Sequence, residues 1–170
     1  MEMDLSNFTC PNDRCSDFGR SNAGNIALYT EYGKKQVRLL ICHACHKTFS
    51  ELKGTPFWDS RLDWEGIEWI YLQLLNGKSI HATERASRIE SEGRSKNTIK
   101  RYWKFPGKSQ EAFQKFIDLC KRFFDLDLDP LLLYQRLLYL EELPWAKRGT
   151  YLNSSITEEW IEETFSSTAR

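Results

Sequence analysis

The sequence predicts a mainly α-helical chain that opens with one small β module, and three observations carry this expectation. Two close cysteine pairs bracket β-prone runs near the N-terminus. From Asp63 onward, capping residues precede stretches whose apolar residues recur at helical spacing. After residue 109 phenylalanine and leucine recur at that same period. The composition is that of a globular chain, 41% hydrophobic and 14% aromatic. It excludes extended disorder over most of the 170 residues.

The first segment, residues 1–54, reads as short strands. Ile26–Thr30 and Val37–Cys42 are rich in β-branched and aliphatic residues, and Glu31-Tyr-Gly-Lys34 between them predicts a hairpin turn. The cysteine pattern is Cys10-x4-Cys15, then 26 residues, then Cys42-x2-Cys45. Two pairs on tight turns, joined by a hairpin, bring four sulfurs to the corners of a tetrahedron. This suits zinc, which accepts four thiolates and has no redox chemistry. A module of about 45 residues buries too little surface to stand alone, and metal binding makes up the difference. The expectation is a zinc ribbon with one structural Zn2+ held by Cys10, Cys15, Cys42 and Cys45. With four thiolates closing the shell, His43 and His46 are expected outside it, exposed. A rubredoxin-like iron site uses similar pairs, but nothing else in the sequence suggests a redox role. Cys120, alone in an apolar helical stripe, is expected to be a small core residue.

The second segment, residues 55–108, predicts three short helices. Asp63 caps a helix to Asn76 with Trp64, Ile67, Ile70 and Leu74 on one face and Gly77 as its stop. Ser79 caps a second to Ile89, with Ile80, Ala86 and Ile89 turned inward. Ser95 caps a third from Lys96 to Lys104, ended by Pro106-Gly107. This segment also concentrates the positive charge. Residues 77–108 hold nine Lys and Arg against three acids, a local +6 within a chain of net charge zero.

The third segment, residues 109–170, predicts an acidic helical tail. Ala112, Phe113, Phe116, Cys120, Phe123 and Phe124 follow helical spacing. Asp129-Pro130 is a helix start, a cap before proline at the first helical position, for a helix carrying Leu131, Tyr134, Leu137 and Leu138. Thr157 opens a last helix, with Ile156 and Ile161 spaced as a hydrophobic staple.

Gly77-Lys-Ser-Ile-His-Ala-Thr-Glu-Arg-Ala-Ser-Arg-Ile89 followed by Ser95-Lys-Asn-Thr-Ile-Lys-Arg-Tyr-Trp103 reads as a helix-turn-helix. Together with Cys42-His-Ala-Cys-His-Lys-Thr-Phe-Ser-Glu-Leu-Lys-Gly-Thr-Pro-Phe57, it resembles the N-terminal region of bacterial insertion-sequence transposases over roughly residues 8–105. The resemblance implies a four-cysteine zinc ribbon running into a helix-turn-helix that binds double-stranded DNA. The residues themselves agree. The second helix of such a pair enters the major groove, and Lys96, Asn97, Thr98, Lys100, Arg101 and Lys104 would supply base and phosphate contacts while Ile99 and Trp103 face the core. Arg85 and Arg88 on the preceding helix would meet phosphates, and the local charge supplies the counterion-release contribution.

Two departures from the family pattern stand out. The turn Glu90-Ser-Glu-Gly-Arg94 is long and polar where the family has a tight turn with an apolar residue before the cap. Residues 109–170 also lack the strand-rich pattern that would carry three catalytic carboxylates, and Asp125, Asp127 and Asp129 read as a helix end and cap. The expected function is therefore non-enzymatic: a zinc-dependent, sequence-specific DNA-binding protein, acting as a transposase-related regulator or accessory factor. The helical tail is expected to meet a second copy or a partner protein. The alternatives are a protein-interaction adaptor using ribbon and tail, and the DNA-binding subunit of an active transposase. No run approaches the ~20 apolar residues of a membrane span, and Met-Glu-Met-Asp lacks the features of a signal peptide. The expected address is cytoplasmic, nucleoid-associated in a prokaryote, with no membrane partner.

Overall fold

Six helices and a three-stranded antiparallel sheet form among the residues that the computed structural model describes, 4–90, 93–104, 109–141 and 156–166. Helices dominate, and the chain divides into two units, Met1–Trp58 and Asp59–Arg170. The segments 55–108 and 109–170, which composition separates, thus lie almost wholly within one unit. No helix among the described residues is long and apolar enough to cross a membrane.

The first unit holds the sheet, β1 (Ile26–Tyr32), β2 (Val37–Cys42) and β3 (Thr48–Ser50), in the order β1-β2-β3. β1 pairs with β2 from Ile26 opposite Cys42 to Tyr32 opposite Val37, with a bulge between Leu28 and Thr30. β1 runs two residues beyond the expected Thr30, so the turn falls at Gly33–Gln36 and not at Glu31–Lys34. Two residues set that position. Gly33 and Gln36 both take positive φ, +73° and +51°, and the Gln36 amide donates to the Gly33 carbonyl at 3.1 Å. Its core is small: Phe8, Cys10, Cys15, Leu40, Cys42 and Phe49 form one cluster, and Val37, Leu52 and Phe57 are buried as well. Behind it Glu51, fully buried, accepts from the Arg38 amide and from Arg38 Nε, both at 2.7 Å. That charge-assisted pair ties the chain after β3 back to β2.

In the second unit the capping residues act as the sequence predicts. α1 (Trp64–Leu75) starts where Asp63 Oδ1 accepts the Gly66 amide at 2.8 Å. It stops in a Schellman arrangement, Gly77 N–H to Leu74 O and Lys78 N–H to Gln73 O, which the positive φ of Gly77 permits. Ile67, Ile70 and Leu74 are buried. Trp64 is half-buried and stacks on Phe123 with centroids 4.3 Å apart. Ser79 caps α2 (Ile80–Ile89) and Ser95 caps α3 (Lys96–Tyr102). α3 ends two residues short of Lys104, with Trp103 as its C-cap. The proposed stop Pro106-Gly107 lies outside the described residues.

One expectation for α2 fails. Ile89 is 84% exposed, not turned inward, and Ala86 is only half-buried. The buried residues are Ile80, Thr83 and Ser87. At about 100° per residue, position 89 lies roughly opposite Ile80, whereas Ser87 returns to its face. Helical angle, not side-chain polarity, decides which residues point in.

α4 (Gln110–Phe123), α5 (Pro130–Glu141) and α6 (Glu158–Ser166) complete the unit. Asp129 Oδ1 accepts the Leu131 and Leu132 amides, and Thr157 Oγ1 accepts that of Trp160. Ile156 and Ile161 are both buried. Tyr71 sits at the centre, its ring within 5.7 Å of those of Phe116 and Phe124 and its hydroxyl donating to the Tyr102 carbonyl at 2.7 Å. Trp103 Nε1 donates to Ile70 O at 3.1 Å. Helices α1, α3 and α4 therefore share one aromatic core. Cys120 is buried within α4, and burial pushes its thiol well above the usual range, as befits an inert core residue.

Candidate functional site

The four cysteines sit on two loops of the first unit. Cys10 and Cys15 flank a turn in which the Cys15 amide donates to the Asn12 carbonyl. Cys42 is the last residue of β2, and Cys45 lies in the connection to β3. That connection is tight: the Cys42 carbonyl accepts the His46 amide at 2.7 Å, and the Cys42 amide donates to Lys47 O at 3.1 Å. His46 takes φ +57° at this corner.

The two loops interleave. Cys10 Sγ lies 3.7 Å from Cys45 Sγ and Cys15 Sγ 3.8 Å from Cys42 Sγ, and all four sulfurs fall within 4.8 Å of one another. These separations are far too long for disulfides, which need ~2.05 Å. They match a tetrahedral thiolate centre, where metal–sulfur bonds of ~2.3 Å give edges of ~3.8 Å. Three of the sulfurs are buried and Cys45 is partly exposed. Hydrogen-bond donors surround the sulfurs. The Asp17 amide lies 3.4 Å from Cys15 Sγ, and Asn25 Nδ2 lies 3.5 Å from Cys42 Sγ while also donating to Asp17. The Lys47 amide, helped by Asn12, draws Cys45 down to about 6, whereas burial pushes Cys10 up to about 12. A dication held here displaces the Cys10 proton and completes a closed four-sulfur shell. Among the described residues this is the one grouping of three or more His, Cys, Asp or Glu ligand atoms close enough to hold a metal ion. His43 and His46 are exposed and take no part in it.

The residues expected to meet DNA lie on α2 and α3 of the second unit, except Lys104, which follows the Trp103 cap of α3. Ile99, Tyr102 and Trp103 are buried, and Asn97, Arg101 and Lys104 are exposed on the other side. Lys96, Thr98 and Lys100 are half-exposed. Thr98 belongs to the cap, its Oγ1 3.1 Å from Ser95 Oγ. On α2, Arg85 and Arg88 are exposed. Glu84 lies between the two helices and draws in Arg88 at 3.3 Å and Lys96 at 3.8 Å. The Arg101 guanidinium lies 5.8 Å from the Tyr102 ring centroid.

Two residues that the sequence reading passed over set the α2–α3 junction. Ser87 Oγ accepts the Arg94 amide at 3.1 Å and donates to Glu84 O at 2.9 Å. Arg94, immediately before the Ser95 cap, is 7% exposed and lays its guanidinium 4.7 Å from the Trp69 ring centroid. A cation–π contact thus fills the place expected for an apolar residue. The signal was present for Ser87, seven residues after Ile80 and so on its face. Arg94 gave none, because its partner is on another helix.

Comparison with family models, with curated proteins and with solved structures finds no match for the chain.

Proposed function

We propose that the chain is a non-enzymatic, zinc-dependent, sequence-specific DNA-binding protein, a regulator or accessory factor related to transposase N-terminal regions. The observation that carries this reading is the division of α3. Its buried edge, Ile99 and Tyr102, anchors the helix, while Asn97 and Arg101, one turn apart, face away from the core. As a helix-turn-helix, α2 and α3 place the exposed face of the seven-residue α3 in the major groove. There Arg101 pairs with guanine and Asn97 with adenine. Lys100, Lys104, Arg85 and Arg88 hold phosphates, which fix the register without reading sequence. Lys96 joins them after leaving Glu84.

Zinc is the metal that the donor set favours: four thiolates at tetrahedral spacing that close the shell and leave no open coordination position for chemistry. Bound there, zinc supplies a cross-link between the two cysteine loops of the ribbon. The residues around it orient the sulfurs, Asn25 and the Asp17 amide through N–H···S contacts. The helices after residue 109 extend the platform and offer a surface for a second copy or a partner.

A second reading, a protein-interaction adaptor, draws on one feature of the first unit. Phe18, Leu28, Tyr29 and Tyr32 are all exposed, three of them on the edge strand β1. Selection from a pool of random duplexes, using the zinc-loaded chain, separates the two. Enrichment of a defined site supports the DNA-binding reading. A pool that stays random over successive rounds rejects it in favour of the adaptor. Metal-dependent nicking of the enriched site would instead mark a subunit of an active transposase.

A further inference from the structure

Helices α2, α3 and α5 enclose a groove with a volume of about 580 Å3, within the range of small-ligand sites. Five basic side chains line it, Lys78, His81, Lys96, Lys100 and Arg136, and no carboxylate does among the described residues. Leu74, Ile80 and Leu140 give it an apolar floor. Concentrating like charges around a concave surface is unfavourable unless an anion occupies it.

Arg136 is the residue that marks the groove as built. It is the lone cation in the apolar run of α5. Its guanidinium lies over Gly77: a Cβ there would stand 3.2–3.3 Å from the guanidinium atoms, and Gly77 also needs its positive φ. Glycine at 77 thus ends α1 and lets the guanidinium settle on the backbone. Arg136 Nε is enclosed by protein yet has no hydrogen-bond acceptor among the described residues. Being enclosed, Nε is closed to the groove as well, so an anion there would meet the terminal nitrogens of Arg136, whose planar fork fits the oxygens of a phosphate. The first turn of the ten-residue helix α2 borders the same groove and adds its partial positive charge. Among the described residues, Glu84 draws on Lys96 at 3.8 Å. Lys78 and Arg136 are the lining cations that lie outside both α2 and α3.

We propose that this groove is a phosphate-binding site, in which Arg136 and Lys78 hold the oxygens of a phosphate ester and the apolar floor takes its organic part. Lys96 and Lys100 also belong to the α3 face assigned to DNA, but the inference stands on Arg136 and Gly77, which lie outside that face.

The test follows backbone amide resonances of Gly77, Ser79 and Ile80 in the zinc-loaded full chain. Chloride is replaced by inorganic phosphate or adenosine monophosphate at constant ionic strength. Saturable shifts are expected, weakened about tenfold or more by Arg136→Gln and unchanged by Arg122→Gln, an exposed cation outside the groove. If Arg136→Gln does not fold, Lys78→Gln at its exposed position carries the same expectation. Shifts that never saturate, or that saturate equally in the variants, overturn the proposal. A duplex-DNA arm identifies the source. If Arg136→Gln also weakens DNA binding and free phosphate competes, the occupant is a backbone phosphodiester. If DNA affinity is untouched, it is a free phosphate ester. DNA binding without any phosphate response sinks this inference alone, and phosphate binding without DNA binding sinks the DNA reading alone.

Discussion

Replacing Cys42 by serine removes one corner of the four-sulfur centre from a fully buried position at the end of β2, next to Asn25 and opposite Ile26. Nine described apolar residues of Met1–Trp58 are buried, and three of them are cysteines of the cluster, so the sulfurs are a sizeable part of what the unit buries. A core of this size rarely contributes more than about 3–5 kcal/mol. Zinc ligation by four groups contributes about 10–16 kcal/mol at neutral pH. Losing most of the second contribution exceeds everything the first supplies, so the unit is expected to unfold and not merely to loosen. Elemental analysis should give one zinc per parent chain and none for Cys42→Ser. Amide spectra should show the dispersed resonances of β1 and β2 collapsing while those of α1 and α4 persist. A variant that keeps a dispersed β1–β2 hairpin without metal would refute the reasoning, because the small core would then suffice.

Acidification should release the metal. Metal binding displaces the Cys10 proton, held up to about 12 by burial, and below about pH 6 Cys45 takes up a proton as well. Affinity therefore rises with pH and falls on acidification; a chelator titration that gives one affinity from about pH 8 to pH 5 would contradict thiolate ligation. In the second unit Phe113 is fully buried with its ring near those of Phe116, Tyr134, Trp160 and Phe165. Phe113→Ala should cost about 3–5 kcal/mol in denaturant unfolding, and a loss under about 1 kcal/mol would show that this cluster is not a core. Ile89→Lys, on the exposed face of α2, should change stability by less than about 0.5 kcal/mol, and a larger loss would show that Ile89 packs inward after all.

What the sequence made legible was local. Asp63, Ser79, Ser95, Asp129 and Thr157 mark helix starts because a short polar side chain bonds an amide two or three residues ahead, and chain neighbours alone determine that contact. The cysteine pattern was legible because two tight loops and one hairpin suffice to gather four sulfurs. The Ile89 error came from weighing polarity above angle in a short helix whose inward face carries Thr83 and Ser87. The turn position depended on Gln36 taking positive φ, an uncommon choice for that residue type. Arg94 and Arg136 were not legible at all. Each is a cation whose environment comes from a distant part of the chain, Trp69 on α1 for one and Gly77 just past its end for the other, and no local period announces such a pairing.

One affinity series tests most directly the proposal that α3 reads DNA. Alanine variants of Asn97, Arg101, Lys104, Arg85 and Arg88 are titrated with the selected duplex and with a random duplex at two salt concentrations. A division is expected. Asn97→Ala and Arg101→Ala each lose about 1–3 kcal/mol on the selected site and little on the random one. The other three lose affinity on both duplexes and flatten the salt dependence by about one counterion each. Five variants that bind both duplexes as the parent does would contradict it.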